Sequence, residues 1–210
     1  MIILTAGHTG AGTGAQCITT QFDEGAENIW LRNRIAEILT NKYGLVVLVD
    51  DDKASLKLLV KELSRDTACR VLSVNRPTNN QSTERTDARQ DTARRVPTSN
   101  DFVIDLHFNA HGNPQARGTE TIVSDDATEL ELRMASRLAH ATADSLEIPL
   151  RGIKSESETP HRRLAMLHLT PQSIILEVCF CTSPEDVEQY RRHRRKIAST
   201  IARTIAELIE

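Results

Sequence analysis

The apolar positions of the chain change period repeatedly. "MIIL" is a short apolar run of strand length, and "AENIWLRNRIAEILTNKYG" then puts Leu31, Ile35, Ile38 and Leu39 at helical spacing, with Gly44 as a stop. A second unit follows: "LVVLVDDD" reads as a strand, "ASLKLLVKELSRD" as a helix with Leu56, Leu59, Val60 and Leu63 on one face, and "CRVLSVNRP" as another strand. From Pro77 to Asn100 the chain turns polar, with a short surface helix expected in "TERTDARQDTARR". Strand periodicity resumes in "DFVIDLHF" and again in "GTETIVS". "TELELRMASRLAHATADSL" carries Leu130, Met134, Leu138 and Ala141 as one apolar stripe, and "SIILEVCF" is the last strand. Ser183, Pro184 and Asp186 have the form of a helix start, with Ser as N-cap, Pro in the first turn and an acid able to reach back to the cap. The closing helix turns Ile197, Ile201, Ile205 and Leu208 inward.

Strands alternating with helices favour a parallel sheet. The expected fold is α/β: one domain over 1–210, a central, mostly parallel twisted sheet with helices on both faces, and an active site at the C-terminal ends of the strands. A length of 210 residues suits one well-cored domain better than two. There is no internal repeat.

Charge narrows the partners. A formal net charge of -3 gives no surplus of Lys and Arg for tracking phosphates, so nucleic acid is not expected as a partner. No run approaches the roughly 20 apolar residues of a membrane span, and "MIILTAGH" lacks the basic and long apolar regions of a signal peptide. The expectation is a chain made in the cytoplasm. Four cysteines stand at 17, 69, 179 and 181; the last two form a C-x-C that cannot easily bridge, so reduced structural thiols are expected, with Cys17 and Cys69 as a conceivable pair.

Candidate chemistry gathers where the strands end. His8 follows "MIILTAG", His107 follows "DFVIDL", Glu177 interrupts the apolar "SIILEVCF", and Glu24 lies in the loop before the first long helix. In open parallel sheets ligands bind beyond the carboxyl ends of the strands, where residues distant in sequence converge. Two His and one Glu are a usual ligand set for catalytic zinc, and an unligated carboxylate beside them suits proton transfer. With seven histidines in the chain, other sets arise by chance. A buried Glu177 needs a reason, since an unpaired carboxylate is costly to bury; a salt bridge to an arginine such as Arg151 is the plain alternative. His111 stands four after His107, but Asn109, Gly112 and Pro114 argue against a helix there, which makes His111 a rim residue. Asn109 is expected to hold the loop after the strand. The glycines of "GHTGAGTGA" lack the Gly-Lys-Ser/Thr ending of a phosphate loop, and read instead as a flexible metal-site loop. "RRHRRK" at 191–196 reads as a solvated helix face, with an adhesion patch for an anionic polymer as the rival. His161 and His168 have no assigned role.

These segments together resemble a family. "GHTGAGTGA" is similar to the G-H-G-G-x-D-x-G-A opening of the zinc-dependent N-acetylmuramoyl-L-alanine amidases, and "DEGAENIWLRNRIAEIL" to their E-x-x-x-N-L helix entry. "DFVIDLHFNAH" resembles S-x-H-x-N-A, "GTET" G-x-E-T, "RGIK" R-G-x-K, and "SIILEVCFCTSPED" L-v-E-x-G-F-x-S-N-x-x-D, in order over nearly the whole chain. The resemblance implies zinc held by His8, Glu24 and His107, Glu177 as the catalytic acid/base, and cleavage of the amide between the lactyl group of N-acetylmuramic acid and L-alanine in peptidoglycan. The implied partner is peptidoglycan or a muropeptide, and the implied setting a lysin acting on the wall after release or export. Three departures stand out: an extra βα unit at about 45–69, Cys179 where Gly is usual, and Asp105 where the motif carries serine before the second His. Two rivals remain: a zinc amidohydrolase or peptidase of the same fold acting on another acyl-amino acid, and a non-catalytic wall-binding module.

Overall fold

A computed structural model describes residues 1–8, 14–17, 19–50, 101–170 and 172–209. The strand "CRVLSVNRP", the helix "ASLKLLVKELSRD", the polar stretch 77–100, Cys69 and most of the expected extra unit lie outside these residues.

Six strands form one sheet in the order β4-β1-β5-β8-β6-β7: β1 Ile2–Ala6, β4 Val47–Val49, β5 Phe102–Asn109, β6 Thr119–Val123, β7 Leu150–Ser155 and β8 Ser173–Phe180. A small antiparallel pair, β2 Gln16–Cys17 and β3 Phe22–Asp23, lies between β1 and the first helix. The strands β4, β1, β5 and β8 run parallel. Between β8 and β6 the direction reverses, and β7 follows β6 in parallel. The sheet is therefore mostly parallel with one antiparallel seam, and β7 is a strand that periodicity missed. Its residues Leu150 and Ile153 are exposed, so "LRGIKS" shows no buried-strand pattern.

Three helices are described: α1 Glu24–Tyr43, α2 Glu129–Leu146 and α3 Pro184–Ile209. Helix α1 is capped by Asp23, which accepts from the Ala26 amide at 3.0 Å, and ends on Gly44 in the left-handed region as expected. It begins at Glu24, so that residue belongs to the first helical turn and not to the preceding loop. Helix α2 opens with a Thr128/Glu131 capping box, and Glu131 also accepts from the Ser173 amide at the start of β8 (2.9 Å).

At the start of α3, Ser183 accepts from the Asp186 amide at 3.3 Å as a cap should. The Asp186 carboxylate does not turn back to the cap. It accepts from the Gly118 amide (2.6 Å), the Phe180 amide (3.2 Å) and Arg117 Nε (3.2 Å), fastening the entry of β6 to the exit of β8 across the seam.

Side chains alternate across the strands. Phe102, Ile104, Leu106 and Phe108 of β5 and Ile174, Leu176 and Val178 of β8 pack with Leu31, Ile35, Leu39, Met134, Leu138, Ile197, Ile201 and Ile205 of the helices in one core. All three described α-helices contribute to this core. On the other face Ile122, Leu167 and Ile175 form a smaller cluster, packed by Leu164. Asp105, His107 and Glu177 share that face.

The cysteine expectation is corrected: Cys17 and Cys181 form a disulfide, and Cys179 is free and buried. The C-x-C spacing drew attention to a local pair, whereas β2 carries Cys17 to the exit of β8, where Thr20 Oγ1 donates to the Cys181 carbonyl at 2.7 Å.

Candidate active site

His8, Glu24 and His107 come from three elements that end at the same edge: the exit of β1, the first turn of α1, and β5. Their ligating atoms lie within 4.8 Å of one another. Glu24 Oε1 is 3.5 Å from His107 Nδ1 and 3.9 Å from His8 Nε2. Two backbone amides aim the carboxylate: Ala15 donates to Oε2 at 2.6 Å and Phe108 to Oε1 at 3.1 Å.

The glycines around His8 serve close approach. A Cβ on Gly7 would overlap the His107 imidazole, and one on Gly14, at φ +87, would press on Glu24 Oε2 and the His8 ring. The expected flexible loop is thus, at both of these described glycines, a place where backbone must pass against ligand side chains.

Glu177 pairs in register with His107 on β5 and with Glu120 on β6. A register shift follows immediately on β8, so that both Val178 and Cys179 face the core after Glu177 has faced the cleft. The Oε2 of Glu177 is sealed and has no hydrogen-bond partner among the described residues. Burial pushes this carboxyl up to about 7, with Glu24, Glu120 and Asp105 adding to the rise against the pull of His107.

The plain alternative for Glu177, a salt bridge to Arg151, is not what the structure contains. Arg151 Nε donates to Glu120 Oε2 at 2.5 Å, and Lys154 Nζ lies 2.8 Å from the same oxygen. Asn109 Nδ2 donates to Glu120 Oε1 at 2.8 Å, while its own Oδ1 accepts from the Ala110 amide, so it holds both the loop and the neighbouring strand. Burial would raise Glu120, but Lys154 and Arg151 outweigh it and keep this carboxylate below the usual range. Glu120, Arg151 and Lys154 were not among the residues picked out by strand-end reasoning. They enter because β6 and β7, which run against the other strands, bring these side chains to the cleft.

Electrostatics ties the histidines to the acids. Burial lowers His8, with Glu24 opposing and His107 assisting. Burial would lower His107 too, yet Asp105, Glu24 and Glu177 prevail and hold it well above the ordinary imidazole value. Burial likewise opposes ionisation of Glu24, and hydrogen bonding to His107, the charge of His107 and the Ala15 amide prevail and bring it down.

These groups line one side of a cleft of about 920 Å³, whose other wall is formed by 158–166, including His161, Arg163 and Met166. His111 also lines it, exposed, with Nδ1 accepting from the Asn113 amide at 3.0 Å: a rim residue, as expected. His168 is paired instead with Glu156, at 2.9 Å. Within the basic run, Arg191 donates to the carbonyls of Thr20 and Gln21, and Arg194 stacks on Trp30 at 3.7 Å and pairs with Glu27 at 2.8 Å. Half of that run's arginines therefore join α3 to the start of α1. No helix among the described residues is long and apolar enough to cross a membrane.

A mixed, mostly parallel α/β sheet brings two imidazoles and a carboxylate together at its edge, with a second carboxylate beside them, and such a set of groups is suited to hydrolysis. The model of the N-acetylmuramoyl-L-alanine amidase family matches residues 2–207, and the chain belongs to that family. No curated protein matches it in sequence. Among solved structures it is similar to an N-acetylmuramoyl-L-alanine amidase from Clostridium difficile 630, at 19% identity and a TM-score of 0.66, covering 99% of this chain and 93% of that one. The amidase Ami1 from Mycobacterium smegmatis gives 17% identity and a TM-score of 0.67, over 99% and 95% of the two chains. The catalytic domain of the CD27L endolysin, which targets Clostridia difficile, gives 21% and 0.60, over 99% and 95%. These likenesses show the fold.

Proposed function

We propose that the protein is a zinc-dependent peptidoglycan amidase, with His8, Glu24 and His107 holding the metal and Glu177 as catalytic acid/base. The donor set supports zinc: two imidazole nitrogens and one carboxylate oxygen converge, and a half-buried glutamate stands beside them on the same sheet face. Zinc, when bound, polarises a carbonyl and lowers the pKa of a water toward about 7.

The chain's own residues supply the rest. The cleft takes the muramyl lactyl amide between the β5–β8 edge and the wall at 158–166. Glu177 accepts the proton of the attacking water and passes it to the departing nitrogen of L-alanine, a double role that asks for a carboxyl poised near neutrality. Glu120, already held by Arg151 and Lys154, keeps its charge and takes no proton. Export or release to the wall, in the manner of a lysin, belongs to the same reading.

The observation that carries this is the Glu177 Oε2, shielded and without a partner among the described residues, beside the His8–Glu24–His107 cluster. The test is metal content of the purified chain, together with release of free L-alanine amine from defined muropeptides before and after chelation. Zinc near one equivalent, and activity lost on chelation and restored by zinc, are expected. A chain that hydrolyses another acyl-amino acid but not muropeptides would move the assignment to a related amidohydrolase; wall binding with no amine release would make it a binding module.

A further inference from the structure

Behind His107, away from Glu24, stands a side chain that the proposed hydrolysis does not use. Asp105 Oδ2 is 3.0 Å from His107 Nε2, and its Oδ1 accepts from Thr5 Oγ1 at 2.7 Å. Asp105 is fully buried, two residues before His107 on the same face of β5, and Thr5 is its register partner on β1. One ring nitrogen thus faces a carboxylate anchored to the neighbouring strand, and the other, Nδ1, faces the shared space with Glu24 and His8.

We propose that Asp105 is a positioning residue for the metal: it accepts a hydrogen bond from the Nε2–H of His107, so that Nδ1 presents its lone pair to the cation held with His8 and Glu24. The inference rests on the zinc reading of this site. A neutral imidazole has one donor and one acceptor nitrogen, and the partner of the first decides which is which. An ionised carboxylate in that place also makes the ligating nitrogen more basic, and partners of this kind typically change metal affinity 10–100-fold. Serine, which the resembled motif carries at this position, is shorter and uncharged. This chain therefore gains an anion behind one ligand that the motif lacks, and Thr5 supplies the hydrogen bond that stops that anion from rotating away.

The experiment is zinc affinity by chelator competition for wild type, Asp105→Asn and Asp105→Ser, with nitrogen NMR of the His107 ring in the zinc-loaded wild type. Wild type should show the proton on Nε2 and the metal on Nδ1. Asp105→Ser should bind zinc about 10–100-fold more weakly. Asp105→Asn, whose amide oxygen still accepts from Nε2, should keep the ring form and lose less. Unfolding temperatures of the metal-free variants separate this from a loss of fold. Unchanged zinc affinity in a folded Asp105→Ser overturns the proposal, as does a wild-type proton on Nδ1; the latter needs no variant. A wild type that takes up no zinc overturns the metal reading itself, whereas zinc uptake with indifferent Asp105 variants overturns only the positioning role of Asp105.

Discussion

Two glutamates sit opposite one another across the antiparallel seam, and their surroundings pull them apart. Glu177 on β8 has a sealed oxygen without a partner among the described residues, and burial lifts it to about 7. Glu120, its register partner on β6, meets Lys154, Arg151 and Asn109 and stays ionised below the usual range. The side chains are identical and one strand apart. The outer neighbour of each strand makes the difference: β7, parallel to β6, brings "RGIK" against Glu120, while β5, parallel to β8, brings a histidine against Glu177. When environments separate two nearby carboxyls in this way, the raised one is suited to move protons and the lowered one to hold charge.

The sharpest way to break this pairing is Glu177→Gln. Turnover on muropeptides should fall by about 10²–10⁴-fold, the usual share of a positioned acid/base, while zinc content stays at wild type. Retained turnover would remove Glu177 from the mechanism. Next in size is Gly7→Ala, which disturbs His107. The added methyl overlaps the imidazole, so the ring must leave its place and zinc uptake should drop at least about tenfold. The Glu120 cluster is untouched, so the variant should stay folded by circular dichroism; full zinc affinity in Gly7→Ala would show that metal binding does not need the His107 ring packed against Gly7.

Glu120→Gln tests the other half. Glu120 contributes to the rise of Glu177, so removing its charge lowers Glu177, and Arg151 and Lys154, freed of their carboxylate, pull the same way. The acid limb of the pH–rate profile should therefore move to lower pH, by a fraction of a unit to about one unit given screening of the partly exposed cations. A limb that stays fixed or moves upward means that the two glutamates are not electrically coupled.

How much of this was legible in sequence depends on where each residue's partners lie. The long helices were, because Leu31, Ile35 and Leu39, or Ile197, Ile201 and Ile205, repeat at a spacing that only a one-sided helix explains. His8, His107 and Glu177 were singled out because they sit at strand exits or interrupt an apolar run, and Glu24 because it stands just before the first long helix. The seam was hidden: β7 has exposed Leu150 and Ile153 and so no strand alternation to read, and without β7 there is no reason to set Arg151 beside Glu120. The disulfide was hidden for a related reason, since a separation of 164 residues leaves no local trace. Gly7 and Gly14 were visible as glycines, but what each must avoid is a side chain from elsewhere in the chain.

The smallest expected effect concerns stability, and it follows from the sign of the Glu177 shift. An ordinary glutamate titrates near 4.5, whereas Glu177 in the folded, metal-free chain does so near 7. Between these values the folded state binds the proton that the unfolded state has lost, so its stability falls as pH rises from about 4.5 to about 7 and changes no further above. Glutamine carries no such proton. Glu177→Gln should thus match metal-free wild type near pH 4.5 and become the more stable of the two by about pH 8, by on the order of 1–2 kcal/mol or a few degrees in Tm. Thermal unfolding of both proteins in chelator across that range measures the gap. A gap that closes with rising pH, or that Glu120→Gln reproduces in full, would mean that the strained carboxyl in this cleft is not Glu177, and the division of labour between the two glutamates would have to be reversed.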